Sequence, residues 1–384
     1  MSALALPDRP KILVITLRRL GDVLLTTALV RTLRRAHPAA RIDMLVFAGT
    51  EGILAGNPDI DGIETVRPRA SVGEQFAMLR RIARRYDLAV ATHTGDRPML
   101  LAAAAAAKRA ALVPAEGGGG WWKRRAVNVA VTADPANHRV AELMRLAAGL
   151  GLAPVAELVC PGTRKPERSA VPEPYAVLHA NPMFAYRRWT ADGWRALAWA
   201  LTKRGLKVVA TGGPDPRESA YLDELWNGVG TPVERLDGCL DWPQLAALLR
   251  GAAVYVGADT SVTHLAAAVG CPTVALFGPT DPRLWGPWPR GGLDAPWAAV
   301  GATQRRGNVF LVQRALPCTP CQREGCERHL DSPSACLDTL SVAQVLAAVD
   351  LALPRVPEVA PRRYAAGGQG SVQDAAMAAR PSTV

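Results

Sequence analysis

Short apolar runs alternate with helical stretches along most of the chain. The runs 11-KILVITL-17, 41-RIDMLVF-47, 62-GIETV-66, 87-DLAVAT-92 and 109-RAALVP-114 have strand length. Between them, 23-VLLTTALVRTLRRA-36, 73-GEQFAMLRRIARRY-86 and the alanine-rich 99–108 read as helices, with a further helix near 137–149. Apolar character is continuous within each strand rather than alternating. That pattern belongs to strands covered on both faces, as in a parallel sheet, and the intervening stretches have the length βαβ crossovers need. The glycine-rich 115-AEGGGGWWKRRA-126 reads as a hinge-like loop, and the proline-dotted 150–173 as a connection between domains. The alternation then restarts. Strands are expected at 175–180, 206–211, 253–257 and 272–278, helices at 191–205, 217–228, 241–250 and 262–269, and a helix over 339–350 closes one of the two halves. The expected class is α/β, two parallel-sheet domains facing across a cleft. The boundaries are 1–155 for the first, 156–173 for the linker, 174–338 for the second and 339–354 for the closing helix. The proline-, alanine- and arginine-rich 355–384 is expected to be a disordered tail.

Length agrees with two domains, since 384 residues exceed what one core usually organises. A hydrophobic share of 49% fills two cores, and the formal charge of +11 draws the surface to polyanions. The positive residues concentrate in the first half. There, Trp121 and Trp122 beside Lys123, Arg124 and Arg125 read either as a lipid-headgroup contact or as solvated faces. No nucleic-acid module is visible, so no specific nucleic-acid partner is expected. The most apolar window, 99-MLLAAAAAA-107, is too short to cross a bilayer, and no secretory signal is visible. A cytoplasmic protein is expected, at most peripheral on the inner membrane.

Candidate chemistry gathers at strand ends, where open parallel sheets bind ligands. In 16-TLRRLGDVLLTT-27, Gly21 allows a close approach and Asp22 opens a helix, as a cap or as a catalytic carboxylate. Neither G-x-G-x-x-G nor a P-loop occurs, which argues against dinucleotide binding and triphosphate hydrolysis. The stretch 257-GADTSVTHLAAAVGCPTVALFGPTDP-282 is richer. A helix mouth at Thr260 offers free N–H groups and a positive end to a pyrophosphate. Hydroxyls of Thr260, Ser261 and Thr263 stand beside it, and His264 can donate to a phosphate. Asp259 reads as another cap or as a ligand of a substrate hydroxyl. In 181-NPMFAYRRW-189, Arg187 and Arg188 are within reach of a phosphate or form a solvated pair. The turn 278-GPTDPRLWGP-287 is stiff enough to be a ligand wall. Cys318, Cys321, Cys326 and Cys336 follow a C-x2-C-x4-C-x9-C spacing that leaves open a structural zinc, a plain thiol cluster and a redox pair. Cys160, Cys239 and Cys271 read as small apolar residues.

Together, KILVITLRRLGDVLLTTALVRTLRRAHPAARID, RRW at 187–189, ADTSVTHLAAAVGCPTVALFGPTDP and CTPCQREGCERHLDSPSACL resemble the lipopolysaccharide heptosyltransferases of glycosyltransferase family 9, most of all the heptosyltransferase III branch. The resemblance spans roughly 11–350. It implies the GT-B architecture, two Rossmann-like domains around a cleft, and inverting transfer of heptose from ADP-heptose to the inner core on lipid A. Asp22 matches the family's general base. Arg187, Asp259, Thr260, Ser261 and His264 match the donor side, with Thr263 kept beside them as a donor-binding candidate from its place at the helix mouth, and Asp215 or Glu218 stands where an acidic residue contacts the nucleotide, Glu218 being the choice made here. Ser261 departs from the glycine many relatives carry. Arg18, Arg19, His93 and Arg124 are the acceptor-side candidates. No cofactor is expected to be required, because protein cations can meet the departing diphosphate. The expected partners are ADP-activated heptose, the lipid A-core acceptor and the inner face of the cytoplasmic membrane. Two alternatives are weighed beside it: a non-catalytic lipopolysaccharide- or membrane-binding protein of the same fold, and a nucleotide-sugar epimerase.

Overall fold

The computed structural model describes residues 4–115, 120–162, 174–228 and 230–353. The tail expected at 355–384 lies outside the described residues, as do part of the glycine loop and most of the linker.

The first half runs β1 (Lys11–Thr16), α1 (Leu20–Ala36), β2 (Arg41–Phe47), β3 (Gly62–Val66), α2 (Val72–Ile82), β4 (Tyr86–Ala91), α3 (Asp96–Ala105), β5 (Ala106–Val113), α4 (Trp121–Arg125), β6 (Val129–Thr132) and α5 (Arg139–Gly149). The second runs β7 (Tyr175–His179), α6 (Ala191–Lys203), β8 (Lys207–Ala210), α7 (Pro216–Trp226), β9 (Val233–Arg235), α8 (Trp242–Gly251), β10 (Val254–Ala258), α9 (Ser261–Val269), β11 (Thr273–Phe277), α10 (Pro282–Trp285), β12 (Thr303–Arg306), β13 (Val309–Gln313), α11 (Ala335–Asp338) and α12 (Val342–Ala352).

Both sheets are doubly wound. Strand order is β3-β2-β1-β4-β5-β6 in the first and β12-β13-β11-β10-β7-β8-β9 in the second. All pairings are parallel except β12 with β13. As continuous hydrophobicity requires, β7, β10, β11 and β13 are buried throughout. In each sheet the winding reverses between two central strands, β1 and β4 in the first and β7 and β10 in the second. A crevice opens at such a reversal because the flanking loops leave to opposite faces. The segments that follow these strands carry Asp22, at the start of α1, and His93, Arg187 and Asp259.

One apolar core joins the halves: α1 residues Val23, Leu24 and Leu29 belong to the same buried cluster as Leu245 and Leu249 of α8 and Val262 and Leu265 of α9. The described start of the linker is strapped to the first half. Val155 and Val159 donate their N–H groups to the Thr32 and Thr27 hydroxyls at 3.0 and 2.9 Å. From the second half, Trp288 Nε1 donates to the Ala156 carbonyl at 2.9 Å. Helix α12 closes the second half, its Val345, Ala348 and Val349 packed with Val274 and Val312.

Three local expectations change. The alanine-rich helix stops at Ala105, because Ala106 and Lys108 pair with Tyr86 and Leu88 of β4; sheet registration overrides alanine's helix preference. The helix expected to 86 ends at Ile82, before Arg84 at φ 51°. The strands β6, β9, β12 and β13 were not anticipated.

Candidate active site

Two helix N-termini meet at the crevice. A Cβ placed on Gly21 in α1 would lie 3.5 Å from His264 Cδ2 and 4.0 Å from the Ser261 Cα in α9. Glycine at 21 therefore sets how closely the two helix starts approach.

On the first-half side, Asp22 is the third residue of α1, the N-cap is Arg19, and no side chain caps this helix. The capping reading of Asp22 is thus replaced. Its buried carboxylate instead faces two guanidinium groups, with Oδ1 3.7 Å from Arg18 Nε and 3.5 Å from Arg139 Nε. Arg139, at the start of α5, is itself buried, and its Nε and Nη2 make no hydrogen bond. It was not among the expected site residues. The available signal was a cation at the first position of a helix, where the macrodipole disfavours positive charge.

His93 follows β4 in the same corner. Burial, with Arg18, Arg139 and Lys123 nearby, pushes its imidazole down to about 3, so it is neutral, and its Nε2 has no partner. Lys123 is tied to the loop after β4, donating to the Thr94 carbonyl at 2.6 Å and pairing with Asp96 at 2.7 Å. Two of the expected acceptor contacts are occupied otherwise. Arg124 donates to the Pro114 carbonyl at 2.8 Å and to Thr132 Oγ1 at 3.2 Å, bracing α4 against β5 and β6. Arg19 lies over the Phe184 ring, 4.6 Å from its centroid, and so bridges the halves. Arg18 remains exposed at the mouth.

On the second-half side, Thr260 caps α9, its hydroxyl accepting from the Thr263 N–H at 3.3 Å. The Thr263 hydroxyl is fully buried and held by Tyr255 Oη at 2.8 Å and the Ala258 carbonyl. Facing inward, it shapes the helix start and contributes no side-chain contact at the surface. Gly257 makes room for this arrangement, since a Cβ there would stand 2.0 Å from Tyr255 Oη.

Asp259 is not the cap of α9, which is Thr260. Its Oδ2 pairs with Arg187 Nη1 at 2.9 Å and accepts from Thr280 Oγ1 at 2.7 Å. The residue thus aims Arg187, whose Nε has no partner. Thr280, a residue not singled out in the sequence, comes from the stiff turn after β11. Ser261 opens α9 and is half-buried. His264 is buried, with Nδ1 unpartnered. Burial lowers its proton affinity, opposed by Asp259 on one side and Asp22 on the other, which places the imidazole between the two corners.

Further along the rim, Arg188 is held by Asn181 at 3.1 Å and stacks 4.3 Å from the Tyr221 ring centroid. Asp215 is consumed as the N-cap of α7. Glu218 instead turns to the glycines after β8; burial raises its carboxyl, while the Gly213 N–H and Asn181 donate to it.

Of the four clustered cysteines, Cys318, Cys321 and Cys326 lie in the loop after β13 and Cys336 in α11, all as free thiols. Burial and the neighbouring Cys321, Cys326 and Cys318 push Cys336 up to about 12. Among the described residues no three His, Cys, Asp or Glu side chains are arranged to hold a metal ion. The loop rests on the site: Gln322 donates its N–H to the Pro279 carbonyl at 2.8 Å, and Ser334 Oγ donates to the Tyr186 carbonyl at 2.6 Å.

Two doubly wound sheets, a carboxylate at one helix mouth and unpartnered cationic or donor groups at the other define a GT-B glycosyltransferase. The family model described as glycosyltransferase family 9 (heptosyltransferase) matches residues 76–294, and the chain belongs to that family. It is 28% identical over 350 residues to lipopolysaccharide heptosyltransferase 3 of Escherichia coli, covering 87% of this chain and 96% of the relative. The fold is also that of the ADP-heptose lps heptosyltransferase II of E. coli, with TM-score 0.68, 19% identity, and 89% and 98% of the two chains covered. The E. coli heptosyltransferase WaaC, solved with ADP, gives TM-score 0.67 at 18% identity, covering 89% and 99%. The chain is a glycosyltransferase, and the non-catalytic and epimerase readings give way to it.

Proposed function

We propose that this enzyme moves heptose from ADP-heptose to the inner core of lipopolysaccharide, with inversion at the anomeric carbon, at the inner face of the cytoplasmic membrane. One observation carries the reading: the first turn of α9, with the unpartnered His264 Nδ1 and Arg187 Nε, packs against the first turn of α1 at Gly21, and His264 feels both the Asp22 and the Asp259 carboxylates.

The donor diphosphate lies against the free N–H groups of that turn, where the helix dipole and Arg187 offset its charge. Neutral His264 donates to it through Nδ1. An acceptor hydroxyl, oriented by Asp22, attacks the anomeric carbon from the opposite face. As the new carbon–oxygen bond forms, the bond to the β-phosphate oxygen breaks and ADP leaves with the electron pair. Asp22 receives the hydroxyl proton. Ion-paired to Arg18 and Arg139, this carboxylate is fixed in the first turn of α1, where it orients the hydroxyl early and takes the proton late, when the attacking oxygen has become acidic. Charge on the departing phosphate is met by groups already in place, the situation in which electrostatic stabilisation is most effective. Arg18 and His93 line the acceptor side, and Glu218 the nucleotide side.

The test is incubation with ADP-heptose and a truncated lipopolysaccharide, reading ADP release and the mass of the product. The reading predicts one heptose added per ADP formed. Turnover only with another activated sugar would replace the donor, and ADP release without a glycosylated product would remove the acceptor.

A further inference from the structure

The outer face of the first half carries exposed apolar side chains that no other described residue covers. Val72 and Phe76 on α2 are 72% and 65% exposed, Leu100 on α3 60% and Trp121 on α4 68%. All three helices pack on the sheet face away from the second half, through Met78, Ile82, Met99, Leu101 and Trp122.

Their positions along the helices are what unites them. Helices α2, α3 and α4 follow β3, β4 and β5, so each begins at the carboxyl edge of the sheet. Val72 and Phe76 lie in the first two turns of α2, Leu100 in the second turn of α3, and Trp121 opens α4. At a rise of ~1.5 Å per residue, all four stand within roughly one to two turns of that edge. The same edge holds Asp22, His93 and the mouth of the acceptor side. Helix α4 is fixed there by Trp122, which packs into the core, and by Lys123, bound to Thr94 and Asp96. Trp121 is left pointing outward with the Arg125 guanidinium 5.7 Å from its ring centroid.

Charge follows the same surface. Residues 62–125 contain twelve Lys or Arg against five Asp or Glu, a surplus of seven within the chain's net +11. The acidic side chains near the patch are already neutralised: Glu64 by Arg81, Glu74 by Arg67 and Asp96 by Lys123. Arg69, Arg80 and Arg125 make no ion pair with any described residue. Large apolar tips ringed by unpaired arginines fit an anionic bilayer surface, where indole and aliphatic groups enter the acyl boundary and guanidinium groups meet headgroup phosphates.

We propose that this edge, formed by the first turns of α2, α3 and α4, docks the enzyme on anionic lipid. Val72, Phe76, Leu100 and Trp121 insert, and the acceptor mouth is held at the membrane plane. This deepens the functional reading and rests on it only for the identity of the acceptor. No helix among the described residues is long and apolar enough to span a bilayer, so contact is made from one side.

The experiment uses the full chain, with wild type, F76S/L100S/W121S and R69E/R80E/R125E compared. Flotation with phosphatidylcholine vesicles, with and without phosphatidylglycerol, needs neither donor nor acceptor. Wild type is expected to float only with the anionic lipid. Each triple variant should lose on the order of tenfold or more in partitioning, one through lost apolar insertion and the other through lost headgroup attraction. Turnover of acceptor embedded in anionic vesicles should fall in parallel, while turnover of the same acceptor stripped of its acyl chains stays at the wild-type value. Wild type that ignores anionic vesicles overturns the proposal, as do triple variants that float like wild type. A dimer dissolved by the apolar substitutions, with no vesicle binding, would assign the patch to a second copy instead. Vesicle binding without any heptose transfer would overturn the functional reading and leave the docking surface standing.

Discussion

Replacing Asp22 with Asn separates catalysis from stability, because its partner Arg139 is buried. The substitution keeps the shape of the side chain but removes the charge that faces Arg139 Nε at 3.5 Å and Arg18 Nε at 3.7 Å. Arg18 is exposed and loses little. Arg139 is buried, and Glu142, the other nearby anion, is hydrogen-bonded to Arg145 at 2.6 Å and to the Asp134 N–H at 2.9 Å. Removing one member of a buried pair costs about 3–5 kcal/mol. The lower figure applies, since Arg139 already leaves two of its nitrogens unpartnered. With an unfolding entropy of about 2 cal/mol/K per residue over about 350 residues, ~3 kcal/mol lowers Tm by roughly 4 °C. Loss of the proton acceptor should lower kcat by about 100- to 10,000-fold. The double variant D22N/R139M removes the stranded charge and should recover most of the Tm loss while kcat stays low. Differential scanning fluorimetry and a coupled ADP-release assay read the two effects. An Asp22→Asn enzyme with wild-type kcat, or a double variant that regains activity together with stability, would refute the assignment of Asp22 to proton transfer.

Further outcomes follow from neighbouring contacts. Arg187→Met removes a charge-assisted contact worth about 1.5–3 kcal/mol, so donor KM should rise roughly 10- to 150-fold in initial-rate measurements with acceptor saturating. Gly257→Ala drives a methyl into Tyr255 Oη and should lower the urea midpoint by an amount equivalent to about 1–3 kcal/mol, with a weaker donor site because Tyr255 positions Thr263. His138 accepts the Val140 N–H at Nδ1 and must therefore donate from Nε2 to the Gly286 carbonyl at 2.8 Å, which fixes it as the neutral imidazole. Burial pushes it down to about 4, and His179 likewise. The unfolded chain then binds more protons than the folded one between about pH 6.5 and 4. The stability from each histidine is complete above that window and falls with pH inside it, by about 2 kcal/mol each at pH 5. Urea titrations at pH 7.5 and 5 check this, and His138→Gln should flatten part of the difference.

The sequence carried the architecture because its strands are buried on both faces, which leaves an unbroken apolar run such as LVITL or VALF as the signature. It also brought the residues of both corners into view, since glycine and polar residues gather just past the ends of β1 and β10. Strand order was not legible, because parallel neighbours are chosen by long-range packing that no local pattern records. Nor was β12, whose TQRR has no apolar residue and becomes a strand only by antiparallel pairing with β13. Asp259 shows a subtler limit. Residue type and position mark it as a site residue, but whether it touches substrate depends on Arg187 and Thr280, which arrive from other strand ends. Arg139 is more than a hundred residues from Asp22 in sequence, and only the fold makes them partners.

A crystal structure of the enzyme with ADP tests the central claim most directly. The account predicts the β-phosphate within hydrogen-bond reach of the backbone N–H groups of Ser261 and Val262, His264 Nδ1 and Arg187, with the Asp22 carboxylate across the crevice from its free face. ADP bound away from the start of α9, or with its diphosphate turned from Asp22, would contradict it.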